Sequence, residues 1–103
     1  MDILLIIKAL SNETRLNILE WLKEPDVHFG AQSQLPSDCD FHGGICVGAI
    51  ADKAGLAQSV ISGYLVKMQK SGLLESRRYC QWTYYRRNEK GIQHFKEQLL
   101  KEL

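Results

Sequence analysis

Ile50-Ala51-Asp52-Lys53-Ala54-Gly55, Leu56-Ala57-Gln58-Ser59-Val60-Ile61-Ser62-Gly63-Tyr64-Leu65-Val66-Lys67-Met68-Gln69-Lys70-Ser71-Gly72 and Leu73-Leu74-Glu75-Ser76-Arg77-Arg78-Tyr79-Cys80-Gln81-Trp82-Thr83-Tyr84-Tyr85-Arg86-Arg87 follow one another without interruption. The first run reads as a short helix closed by a glycine, the residue that turns a helix end at least steric cost. The second reads as a longer helix closed by another glycine. Its Ile61, Leu65 and Met68 fall at i, i+4 and i+7, one stripe to be buried. Its other face carries Gln58, Ser59, Ser62, Gly63, Val66 and Lys70, with Lys67 close by, and no acidic residue. The third run predicts a two-stranded hairpin: strand-forming Thr83, Tyr84 and Tyr85 return after a turn at Cys80-Gln81. Arg77, Arg78, Arg86 and Arg87 decorate its ends and tip.

Charge follows the same division. The whole chain of 103 residues carries a formal +1, which says little. Residues 56–88 hold six Lys/Arg against one Glu, whereas residues 1–55 hold four against eight Asp/Glu. A basic segment of this kind is an electrostatic footprint for a polyanion. An apolar content of 45% with 24% charged residues is ordinary for a globular protein. The length predicts one domain over residues 1–103 with a modest core, which a second subunit would enlarge.

Upstream, residues 2–10 predict a short helix capped by Asp2 and apolar on more than one side through Ile3, Leu4, Ile6, Ile7 and Leu10. One face can meet its own domain and the other a second subunit. Ser11 or Asn12 caps the next helix, whose inward positions are read as Leu16, Leu19 and Trp21 or Leu22; Pro25 ends it. Residues 25–45 have no period and predict a long loop insertion. Helical spacing resumes from Cys46 to Ala54. Residues 89–103 form a last helix, capped by Asn88, with Ile92, Phe95, Leu99 and Leu103 in a stripe able to pair with its symmetry mate.

Helix, turn, helix and basic hairpin together predict a mainly α fold with a β-hairpin wing (α+β), in the order α-α-α-α-β-β-α. This is the plan of a winged helix-turn-helix, whose second helix enters a DNA groove. Gln58, Ser59, Ser62, Gly63 and Lys67 are the candidate contacts on that helix. Arg77, Arg78, Gln81, Arg86 and Arg87 are the candidates on the hairpin. The dimer-interface candidates are Leu4, Ile7, Ile92, Phe95, Leu99 and Leu103. A winged-helix protein-interaction module without specific DNA binding is the alternative, and the intact basic hairpin argues against it. No nucleophile–base pair and no glycine-rich phosphate loop points to an enzyme.

The run Lys8-Ala9-Leu10-Ser11-Asn12-Glu13-Thr14-Arg15-Leu16-Asn17-Ile18-Leu19 resembles the opening helix of the arsenic-repressor (ArsR/SmtB) family of bacterial transcriptional regulators. Gly55 to Leu65 resembles its recognition helix, and Ser71-Gly72-Leu73-Leu74 with Trp82-Thr83-Tyr84-Tyr85-Arg86 resembles its wing. The resemblance covers nearly all of the chain outside 25–45. It implies a cytoplasmic homodimeric repressor that pairs through its first and last helices, binds a palindromic operator and is released by an effector. Tyr64 stands where many members carry His.

Many relatives bind a metal through two cysteines at the start of the third helix. Here Cys46 matches the first, and Gly48 replaces the second. On the last helix His94 and Glu97 make half of the other common site. The reading therefore assigns no cofactor; a metal, if one is bound, would draw on Cys39, His42 and Cys46, ligand types that suit zinc and softer ions. Three cysteines in no regular framework, with neither a secretory segment nor a membrane-length apolar run, suggest a reduced, intracellular protein.

Overall fold

The computed structural model describes residues 3–30 and 40–103. Helices α1 (Ile3–Leu10), α2 (Glu13–Lys23) and the single turn α3 (Pro25–His28) are followed by strand β1 (Ile45–Cys46). Then come α4 (Val47–Ala54), α5 (Gln58–Lys70), β2 (Leu74–Tyr79), β3 (Trp82–Arg87) and α6 (Glu89–Glu102). The expected mainly helical fold with a wing is present, with two additions inside the supposed loop. Pro25 does not merely end α2; it opens α3, its fixed φ suiting a helix start. Ile45 and Cys46 pair with Tyr85 and Tyr84, so the wing is a three-stranded antiparallel sheet in the order β1-β3-β2 rather than a lone hairpin.

Local chemistry sets the element ends. Asn12 caps α2 by accepting from the Arg15 N–H at 3.0 Å, and Asn88 caps α6 by accepting from Gly91 at 3.2 Å. Gly55 ends α4 in the left-handed region (φ 69°), which lets its N–H and that of Leu56 close on Ala51. Three residues then separate α4 from α5.

The core gathers under α5. Ile61, Leu65 and Met68 are fully buried, as the stripe requires, and meet Ile6, Ile18, Ile50, Leu73 and Leu74. On α2 the inward reading needs correcting. Leu16 is half exposed, and Arg15, Ile18, Leu19 and Leu22 take the buried positions. Arg15 reaches inward because it closes the end of α1: its Nε donates to Ala9 O at 2.6 Å and a terminal nitrogen to Lys8 O at 3.3 Å. Its guanidinium also lies 5.0 Å from the Tyr64 ring centre, so one side chain joins α1, α2 and α5.

Gly91 packs tighter than any other glycine of α5 or α6. A Cβ built there would stand 2.2 Å from the carbonyl oxygen of Gly72, so the first turn of α6 sits directly on the end of α5. Asn88 N–H donates to Leu73 O at 2.9 Å and locks the same junction.

Candidate nucleic-acid interface

Burying Ile61, Leu65 and Met68 leaves the opposite side of α5 to solvent. Gln58, Ser59, Gly63, Val66, Lys67 and Lys70 are exposed and Ser62 is half-buried. No side chain crowds Gly63, since a Cβ there would meet nothing within 4 Å. The face therefore offers amide, hydroxyl and ammonium groups and one bare stretch of backbone. Tyr64 is not part of it: the ring is partly buried against the core and holds Arg15.

The sheet splits the four wing arginines. Leu74 faces Arg87, Ser76 faces Tyr85 and Arg78 faces Thr83 on one side of the β2–β3 ladder. Glu75 faces Arg86, Arg77 faces Tyr84 and Tyr79 faces Trp82 on the other. The first side carries buried Leu74 and Tyr85 and reaches α5, where Ser76 Oγ donates to Gln69 Oε1 at 2.9 Å. Arg78, exposed at the tip of this side, shares it with the recognition helix, and no ion pair holds it among the described residues. Gln81 is exposed in the turn, beside Cys80, whose φ of 57° lies in the region that favours glycine.

The other three arginines have partners within the protomer. Arg77, on the outer side, pairs with Asp40. Arg86 donates through Nε to Glu75 at 2.6 Å and through a terminal nitrogen to His42 O at 3.3 Å, with its guanidinium 4.1 Å from the Phe41 ring centre. Arg87 forks onto Glu89 at 2.8 and 3.2 Å and reaches Leu19 O at 3.4 Å, leaving its side chain only 10% exposed. Hydrogen bonding from Arg87, ahead of the Coulombic pull of Arg87, Lys96 and Lys23, holds the Glu89 carboxyl below the ordinary glutamate range despite partial desolvation. Arg86 and Arg87 thus line an open cleft of about 620 Å³ with Lys23, His42 and Lys90 and do not extend the tip. Glu89 lies only two positions from Arg87, but Glu75 and His42 come to Arg86, and Leu19 to Arg87, only through folding.

Of the two tyrosines at the strand centre, Tyr85 is in the core and Tyr84 on the outer side. Burial raises both phenol pKa values, for Tyr84 with smaller Coulombic contributions from Cys46, Cys80 and Tyr79.

The apolar positions of α1 and α6 divide similarly. Leu4, Ile7 and Leu103 are exposed, at 55%, 42% and 95%, and Phe95 and Leu99 are half-buried. Ile92 is 5% exposed and belongs to the protomer's own core, so it is withdrawn from the candidate subunit contacts. Of the metal-ligand candidates, Cys46 precedes α4 half-buried and His42 is exposed, while Cys39 lies outside the described residues. The described residues bring no three His, Cys, Asp or Glu side chains together as a metal site. None of their helices is long and apolar enough to cross a membrane.

No protein-family model matches the chain. It is 42% identical over 92 residues, 89% of each chain, to YbzH, an uncharacterised helix-turn-helix-type transcriptional regulator of Bacillus subtilis strain 168. NolR from Sinorhizobium fredii is 30% identical, over 90% of this chain and 75% of NolR, with a TM-score of 0.60. Mb0332 from Mycobacterium bovis, a homodimeric winged helix-turn-helix DNA-binding domain and a candidate ArsR-family regulator, is 28% identical. That match covers 94% of this chain and 74% of the other, with a TM-score of 0.64.

Proposed function

The chain belongs to the ArsR/SmtB family of winged helix-turn-helix transcriptional regulators, and on that premise we propose that it represses transcription by binding a palindromic operator as a homodimer. It is a DNA-binding regulator, and double-stranded DNA is its partner. The observation that carries the reading is the solvent face of α5, polar and free of carboxylates, beside Arg78 at the wing tip, which no ion pair holds among the described residues. Gln58, Ser59 and Ser62 are assigned to base edges, Gly63 to close backbone approach, and Lys67, Arg78 and Gln81 to phosphates or the minor groove. The exposed apolar side chains of α1 and α6 support pairing through those helices, which would set two copies of α5 about one turn of DNA, ~34 Å, apart. Release then requires an effector that binds the free and DNA-bound states unequally. The reading contains no catalytic step and no resident cofactor, and places the protein in the bacterial cytoplasm with the chromosome it reads.

Fluorescence anisotropy with a labelled duplex from the chain's own promoter region tests this. The expected result is saturable binding by a dimer, tighter than to a random duplex and weakening steeply with salt. Equal affinity for the two duplexes would refute sequence-specific repression.

A further inference from the structure

Arg77 and Arg78 are neighbours in sequence but point to opposite sides of the sheet, and among the described residues only Arg77 meets a carboxylate, that of Asp40. We propose that Asp40 is a built-in counter-ion of the wing, which holds Arg77 until a DNA phosphate replaces it. The proposal rests on the DNA-binding reading above and adds a residue that tunes it.

Asp40 is not an arbitrary surface acid. The next residue, Phe41, is 3% exposed, and its ring receives two guanidinium groups, Arg86 at 4.1 Å and Arg77 at 5.1 Å. The Phe41 carbonyl accepts from Gly44 N–H at 3.3 Å, and a Cβ at Gly44 would stand 2.6 Å from the ring, so the turn is closed tightly around it. His42 O accepts from Arg86, and β1 then joins the sheet in register with Tyr85 and Tyr84. These anchors hold Asp40 against Arg77, so pairing costs less side-chain entropy than between two free surface residues.

The pair is nevertheless exchangeable. The Asp40 side chain is 84% exposed and that of Arg77 41%. Exposed ion pairs are weak, and the phosphodiester backbone of a duplex offers the guanidinium a denser negative field. In the exchange Asp40 takes the place of one mobile anion on the free wing. Affinity for any duplex is lowered, and one fewer ion is released on binding, so the salt dependence is shallower.

Anisotropy titrations of wild type, Asp40→Asn, Asp40→Glu, Arg77→Ala and the Asp40→Asn/Arg77→Ala double variant, each on promoter and random duplexes at several salt concentrations, test the proposal. Asp40→Asn should tighten binding to both duplexes by about two- to fivefold. It should also steepen the log–log salt slope, because the free wing then carries one more mobile anion to release. Asp40→Glu should behave as wild type. On the Arg77→Ala background Asp40→Asn should change nothing, which separates a specific pair from general repulsion. Wild-type affinity and slope for Asp40→Asn, or an undiminished gain without Arg77, would overturn the proposal and leave operator recognition standing. If wild type binds both duplexes equally and Asp40→Asn still tightens both, the counter-ion holds and sequence-specific repression falls. No binding to either duplex overturns both.

Discussion

Alanine at Gly63 and at Gly91 should shift stability in opposite directions, although both glycines stand in helices. At Gly63 the new Cβ meets nothing within 4 Å. The change removes a mid-helix glycine and narrows the unfolded ensemble, which stabilises by about 0.5–1 kcal/mol. At Gly91 the Cβ would lie 2.2 Å from Gly72 O and 2.8 Å from Asn88 Nδ2. An ordinary carbon–oxygen contact needs roughly 1 Å more. Gly72 cannot yield cheaply: it is backbone at φ 91°, bonded through its N–H to Gln69 O at 3.0 Å. Overpacking costs about 1–3 kcal/mol and loss of the Asn88 cap about 1 more, against at most ~1 gained in helix propensity. The net loss is then ~1–3 kcal/mol, a fall in melting temperature of about 5–20 °C for a chain of this size. Circular-dichroism melts of the three proteins at one protomer concentration measure it, since a dimer's midpoint depends on concentration. Gly91→Ala melting at or above wild type would refute the close seating of α6 on α5. Gly63→Ala melting below wild type would refute the openness of that face. In the DNA titration Gly63→Ala should bind the promoter duplex more weakly despite its higher stability, because the methyl group occupies the surface assigned to backbone approach.

The wing supplies two further contrasts. Arg78→Ala should weaken promoter and random duplexes alike and reduce the salt slope by about 1, whereas Arg86→Ala should lower the urea midpoint by the equivalent of ~1–2 kcal/mol as Glu75 and His42 O lose their donor. Cys80→Gly should raise stability by up to ~1 kcal/mol in the same urea titration, because Cys80 sits at φ 57° where a side chain is unfavourable. Glu89 has a lowered pKa in the folded protein, so its contribution is present above the unfolded glutamate value and is lost as pH falls through the lowered one. Glu89→Gln should therefore flatten the acid side of the stability–pH curve while leaving its shape unchanged near neutrality. Glu89 is largely exposed, so the effect is small and shows as a change of slope in urea midpoints between about pH 3 and pH 7.

Much of the site was legible because it depends on spacing. The period of Ile61, Leu65 and Met68 decides which side of α5 is buried, and Gln58, Ser59 and Gly63 follow on the other side without reference to any partner. Gly55, Gly72 and Asn88 mark element ends through local backbone chemistry and serve as read, and of the two candidates Ser11 and Asn12 it is Asn12 that caps α2. Misreadings arose where a side chain answers to distant groups. Leu16 fits an apolar stripe, yet Arg15 takes the interior because the carbonyls closing α1 need a donor. Ile45 and Cys46 are too short a run to announce a strand, and only the open edge of β3 makes them one.

By itself the sequence determined the helix-turn-helix, the hairpin that follows it and the polar face between them, since helix and strand periods are properties of consecutive residues. Tertiary structure alone decided which wing arginines are tied down within the protomer. A guanidinium's role depends on the nearest carboxylate, and folding brought Asp40 to Arg77 across 37 positions and Glu75 to Arg86 across 11, while Arg78, beside the recognition helix, has no ion pair among the described residues.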